Sequence, residues 1–243
     1  MQLKTFGAVS WLDLWHTIPL MTNEDDATNS AASLVSEDYL RWYYDTGVWN
    51  HTTFLGILCL KSVSDMWNYQ EILFDLKPGL VVEFGAFNGG SALFFSIIAR
   101  LIRPEALVLS VDADLSFIAP RARNDRAIRF FESSSTDPRV ASEIRRLRLA
   151  LPGPIFCILD SDHSKKHVLA ELELLKDITR PGDYVVVEDG IINGHPVLPD
   201  WGEGPWEALA EYSDLYPDDY VRDETREAKF GWTFAAKGFL IRR

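Results

Sequence analysis

Five short, near-continuous apolar runs constrain this chain more than any other feature: residues 80–84, 107–111, 128–131, 155–159 and 184–187. A strand that is apolar along its length has to be buried on both faces. Most segments between the runs carry apolar residues at helical spacing, among them 90–101, the basic stretch 138–149, and Val168, Leu169, Leu172 and Leu175 behind a capping Ser164. Such strands alternating with amphipathic helices predict an α/β architecture, a mostly parallel sheet covered by helices on both faces. A helix over 205–216 follows, then two weaker strands, 220–222 and 232–241, expected to be antiparallel.

Upstream of the first run the pattern is looser. Residues 22–36 are small, polar and acidic and read as a flexible segment. An aromatic helix is expected over 37–44, then loop and extended chain to Lys61, then a helix capped by Ser64 that carries Met66, Trp67, Tyr69, Ile72 and Leu73. Lys77-Pro78-Gly79 ends that helix. The domain reading is an N-terminal helical extension over residues 1–76 and a single compact unit over 77–243.

At 243 residues with 47% hydrophobic composition, the chain can bury a full core. A net charge of −12 argues against nucleic acid as a partner, because neutralising phosphates needs a basic surface. Cys59 and Cys157 both lie in apolar runs and read as buried free thiols of a reducing compartment. Residues 1–21 are broken by Asp13 and His16, too polar to span a bilayer and a poor signal peptide, so a cytoplasmic protein without a membrane partner is expected. Phe6, Trp11, Leu12, Leu14 and Trp15 suit a subunit interface, hence a homo-oligomer, or else cover the domain's own core.

Two of the apolar runs stop on acid: Ile158-Leu159-Asp160-Ser161-Asp162-His163 and Tyr184-Val185-Val186-Val187-Glu188-Asp189. If these strands are neighbours, Asp160, Glu188 and Asp189 converge at one edge, where they repel unless some protonate or a cation sits among them. Oxygen-only ligands suit Mg²⁺ rather than zinc.

Ligands in such sheets bind at the C-terminal ends of the strands. Glu83-Phe84-Gly85-Ala86-Phe87-Asn88-Gly89-Gly90-Ser91 joins the first strand to its helix there. Its glycines admit a ligand to the backbone, and the helix N-terminus offers free N–H groups. The spacing is GxxxGG, not the GxGxxG of dinucleotide sites. Asp112 is placed for both hydroxyls of a ribose, and Ser133-Ser134-Ser135 for an adenine pocket. With Asp160 these groups outline a cleft for an adenosine cofactor, and the lack of a phosphate loop favours S-adenosylmethionine over NAD.

Several motifs make the chain resemble a known family. They are Trp67-Asn68-Tyr69-Gln70-Glu71, Val82-Glu83-Phe84-Gly85 with Asn88-Gly89-Gly90-Ser91, and Asp160-Ser161-Asp162-His163-Ser164 with His167-Val168-Leu169-Ala170-Glu171-Leu172. Val187-Glu188-Asp189, Gly204-Pro205-Trp206-Glu207-Ala208, Thr233-Phe234 and Lys237-Gly238-Phe239-Leu240 complete the set. The chain is similar, from Tyr39 onward, to the cephalosporin hydroxylase family, the branch of class I S-adenosylmethionine-dependent methyltransferases that includes rhamnosyl O-methyltransferases. The resemblance implies a Rossmann-like, seven-stranded sheet with the fourth and fifth strands adjacent, and metal ligands at Asp160, Glu188 and Asp189. It departs at Ser133, where relatives commonly carry glycine.

The expected activity is Mg²⁺-assisted methyl transfer from S-adenosylmethionine to a hydroxyl of a sugar or natural product. Asp160 and His163 are the expected catalytic pair, His163 as general base with His167 as the alternative. Glu83, Gly85, Ala86, Asn88, Gly89, Gly90, Ser91, Asp112, Ser134, Ser135 and Asp160 are expected to bind the cofactor. Lys165 and Lys166 read as surface charges. Trp42-Tyr43-Tyr44 and Trp49-Asn50-His51-Thr52 read as core or as a lid, Lys61 and Gln70 are ambiguous, and loop 190–204 is the natural acceptor gate. Two other functions stay open: a cofactor-binding partner subunit of a hydroxylation and methoxylation system, and a nicotinamide oxidoreductase.

Overall fold

A computed structural model describes the backbone of residues 26–243 and the side chains from Ser36 onward. The apolar N-terminal residues Phe6 to Trp15 lie outside the described residues. α1 (Asp26–Asp45) leads through a 3₁₀ turn (Val48–His51) into a small antiparallel ribbon of β1 (Thr53–Phe54) and β2 (Ile57–Leu58). Then come α2 (Val63–Leu76), β3 (Leu80–Phe84), α3 (Gly90–Ile102), β4 (Leu107–Asp112), α4 (Pro120–Arg123), β5 (Ile128–Glu132), α5 (Pro138–Ala150), β6 (Ile155–Leu159), α6 (Lys165–Lys176), β7 (Tyr184–Val187), α7 (Pro205–Leu215), β8 (Tyr220–Arg222), α8 (Glu224–Ala228) and β9 (Phe239–Arg242).

The main sheet has seven strands in the order β5-β4-β3-β6-β7-β9-β8, the first five parallel and β9 antiparallel to both its neighbours. The expected α/β class, the seven strands and the adjacency of β6 and β7 all hold. The period of two along each strand divides the core. Val81, Val108, Phe156, Ile158 and Val186 face α2 and α3, where Tyr69, Leu73 and Phe95 cover them. Val82, Leu109, Cys157, Leu159, Val185 and Val187 face α5, α6 and α7. A third cluster ties Leu40 and Tyr43 of α1 to Ile191, Ile192, Val197 and Phe234 beyond the sheet edge.

Three sequence expectations are corrected. Helix α1 begins at Asp26, so most of the segment read as flexible is helical. The cap of α2 is Ser62, whose hydroxyl accepts from the Asp65 N–H, and Ser64 lies inside the first turn. The last strand is limited to 239–242, because residues 233–235 are drawn away: buried Asp65 accepts from Thr233 Oγ1 at 2.6 Å and from the Phe234 N–H at 2.8 Å. Both cysteines are free and buried. No described helix is long and apolar enough to cross a membrane.

Candidate active site

The parallel ladder runs one residue past the strands. Gly85 N–H donates to Val111 O, Asp160 N–H to Phe84 O and Glu188 N–H to Leu159 O, which sets Gly85, Asp160 and Glu188 in a row at the C-terminal edge. Gly85 is required there: its φ is +94°, and a Cβ would lie 1.9 Å from the Asp160 carbonyl oxygen. Gly90 is held as tightly, 2.1 Å from the Leu58 carbonyl oxygen by the same measure.

A cleft of about 770 Å³ opens above this edge. One side carries Gly85, Ala86, Asn88, Ser91, Asp112, Ser134 and Ser135; the other carries Tyr44, Trp49, Ile192, Leu198, Trp201 and Phe234, with Asp160, His163 and Asp189 between them. Of the predicted cofactor residues, Glu83, Gly89 and Gly90 do not line the cleft and lie behind it. Asp112 already accepts the Ala86 and Phe87 N–H groups at 2.8 Å each, so it also fixes the Gly-rich loop. Ser135 Oγ lies 2.8 Å from His167 Nε2, and Ser161 donates to buried Glu171 at 2.6 Å beneath them. His167 is thereby committed to the floor of the cleft, its pKa raised chiefly by the Glu171 hydrogen bond.

The predicted acids separate. Asp160, His163 and Asp189 each offer one ligand atom, all within 4.8 Å of one another, with His163 Nε2 3.2 Å from Asp189 Oδ2. Glu188 lies beside this cluster but outside it. It continues the Tyr184–Val186 face of β7 toward α2, where Glu188 Oε1 accepts from Lys61 Nζ at 3.0 Å and from the Tyr69 hydroxyl at 2.7 Å. Lys61 also donates to Asp160 Oδ2 at 2.6 Å. The alternation of β7 is a sequence signal that separates Glu188 from Asp189; nothing local to Lys61 marks it as the partner of Asp160 and Glu188.

Loop 190–204 is held from its base. Glu207 accepts from Asn193 Nδ2 at 3.0 Å and from the Gly204 N–H at 2.7 Å, lies 2.9 Å from His195 Nε2, and is held down at about 2 by these contacts against the pull of desolvation. Lys165, read as a surface charge, pairs with Glu203 and Glu211 and pins the same loop, while Lys166 is exposed.

Loss of solvent raises several carboxyls: Glu83, Asp65 and Asp189 each to about 7, Asp65 further by Glu188 and Asp189 further by Asp160 and Glu188. A carboxyl raised in the folded state binds its proton more tightly than the unfolded chain does, so stability is lost as pH climbs from the unfolded value through the folded one. His167, raised above 6.5, acts with the same sign: its contribution is present below its unfolded pKa and lost above the folded one. In chelator, the melting temperature is therefore expected to fall between about pH 5 and pH 8. A melting temperature that rises across that window would contradict these shifts.

Residues 46–243 match the family model described as Rhamnosyl O-methyltransferase/CmcI. The chain belongs to this family. Rhamnosyl O-methyltransferases of Mycobacterium tuberculosis (strain ATCC 25618 / H37Rv) and Mycobacterium leprae (strain TN) are 57% identical over 208 residues and 56% identical over 209 residues. Those matches span 86% of this chain in each case and 85% and 91% of the relatives. Among solved structures, CmcI with Mg and SAM shares the fold at a TM-score of 0.64 and 20% identity, covering 100% of this chain and 89% of that one. An O-methyltransferase from Bacillus cereus in complex with SAH does so at 0.50 and 13%, covering 95% and 97%. Membership of the family makes the chain an enzyme, an S-adenosylmethionine-dependent O-methyltransferase, and sets the nicotinamide alternative aside.

Proposed function

We propose that the enzyme methylates a hydroxyl of a sugar acceptor, a rhamnosyl residue above all, with a Mg²⁺ ion held by Asp160 and Asp189. The observation that carries this is the meeting of Asp160, His163 and Asp189 between the glycine-loop side of the cleft and its aromatic side. The names of the mycobacterial relatives support the sugar.

The residues fit both groups. A cleft of about 770 Å³ lies within the range of small-molecule pockets, and the glycine loop, Asp112 and the Ser134–Ser135 wall present the polar groups an adenosine needs. Asp160 and Asp189 supply the hard oxygen donors that Mg²⁺ prefers, and an ion there offsets the loss of solvent that chiefly raises Asp189 and the repulsion from Asp160 and Glu188 that adds to it. When bound, the ion would lower the pKa of the acceptor hydroxyl. His163 takes the hydroxyl proton as general base, and Asp189, 3.2 Å away, orients the ring and stabilises the imidazolium. The cleft aligns the hydroxyl oxygen with the methyl group, because displacement at a sulfonium methyl is in line. Leu198 and Trp201 of loop 190–204 form the acceptor side with Tyr44 and Trp49. Residues 77–243 would then form the cofactor unit, and the segment before them completes its cleft.

Transfer of labelled methyl from S-adenosylmethionine to rhamnosylated acceptors, with the protein alone, tests this. Turnover in Mg²⁺ that is lost in chelator is the expected result. Calorimetric binding of S-adenosylhomocysteine without turnover on any sugar hydroxyl would overturn it in favour of the partner-subunit role.

A further inference from the structure

The corner assigned to Mg²⁺ contains a buried cation with no part in the chemistry above. Lys61 belongs to the segment between β2 and α2, and its side chain is 2% exposed. The period of two sends Asp160, Glu188 and Glu83 toward the same α2–α3 face of the sheet. Lys61 Nζ takes Asp160 at 2.6 Å and Glu188 at 3.0 Å, while Glu83 turns to the Ser110 hydroxyl. The Tyr69 hydroxyl completes the shell of Glu188.

The side chain of Glu188 is 4% exposed and that of Asp160 22%, and acids this close in a poorly solvated corner need a compensating charge. In the metal-free protein Lys61 is the charge that touches both. A fixed positive charge in contact with Asp160 also opposes any divalent ion drawn to that carboxylate, by an amount that falls only as the inverse of distance at low dielectric. The same ammonium therefore stabilises the corner without metal and weakens its hold on one.

Resting on the Mg²⁺ reading of the site, we propose that Lys61 is a positioning residue: it keeps the acid corner preformed without metal and holds its affinity for a divalent cation low enough for exchange. The corner then persists as a charged, assembled site between encounters with the ion. Its metal response is set by the balance between one lysine and the acids around it, not by the ligands alone.

Lys61→Gln keeps a hydrogen-bond donor and removes the charge; Lys61→Arg keeps the charge. Melting temperature in chelator and in Mg²⁺, together with calorimetric titration of Mg²⁺, reads the effect without turnover. Lys61→Gln is expected to melt lower than wild type in chelator, to gain more from Mg²⁺, and to bind Mg²⁺ at least about tenfold more tightly. Lys61→Arg is expected to keep the wild-type Mg²⁺ affinity. If Lys61→Gln folds only with Mg²⁺ present, the proposal is supported; if it folds in neither condition, Lys61→Met repeats the comparison without a polar head. Equal Mg²⁺ affinity in Lys61→Gln and wild type, or tightening in Lys61→Arg as well, overturns the role of the charge while leaving the metal site standing. Absence of Mg²⁺ binding in every protein, with S-adenosylhomocysteine still bound, overturns the metal reading and the proposal with it.

Discussion

Asp189→Asn is expected to lower kcat/KM by about 10²–10³-fold, the scale of losing a metal-held charge at the reacting oxygen, with the fold intact. The backbone permits the change: Asp189 has φ +56°, a left-handed conformation that asparagine adopts at least as readily as aspartate. The electrostatics favour folding too, since the substitution removes one of the carboxylates that crowd Asp160 and Glu188. What is lost is the negative charge on the ligand of the proposed ion and on the acceptor that faces His163 Nε2, where asparagine offers only a neutral carbonyl oxygen. The melting temperature in chelator should therefore match or exceed that of wild type, while the calorimetric heat of Mg²⁺ disappears. A variant that retains wild-type turnover and its Mg²⁺ heat would remove Asp189 from the site.

Asp65→Ala is expected to cost about 2–5 kcal/mol of stability, because two buried donors lose their acceptor at once and each unsatisfied group costs about 1–3 kcal/mol. Asp65 is fully buried at the start of α2 and accepts from the Thr233 hydroxyl and the Phe234 N–H, 168 and 169 residues away. In a chain of this size the melting temperature should fall by about 5–20 °C. The damage reaches function through Phe234, which lines the cleft and meets the rings of Tyr44 and Trp49 at centroid distances of 5.9 and 6.2 Å. Acceptor KM should rise more than cofactor KM. A melting temperature within about 2 °C of wild type would mean that solvent or the neighbouring backbone replaces Asp65 as acceptor.

The same residue shows where sequence reading stopped. A strand expected over 232–241 is reasonable from Trp232, Phe234 and Phe239, yet only 239–242 pair, because Asp65 holds 233–234 on another element. The cap of α2 at Ser62 and not Ser64 is a shift of two positions between like residues, decided by which hydroxyl meets the Asp65 N–H. The helix expected over 37–44 is the second half of α1; its first turns were hidden because they are small and polar, without the apolar stripe that marks an amphipathic helix.

By itself the sequence determined the layered α/β fold and pointed to the sheet edge that carries the candidate site. Buried strands need near-continuous apolar runs, glycine at position 85 is the residue that fits against the Asp160 carbonyl, and acids at strand ends mark the ligand edge. It also carried the family, through motifs spread from Trp67 to Leu240. Only the tertiary structure decided which acid pairs with which group. Lys61 lies 99 residues from Asp160 and 127 from Glu188, so no local pattern records that they share one charge. Pairing of buried charges is set by packing across the sheet, where low dielectric makes each partner matter, and that juxtaposition exists only once the chain has folded.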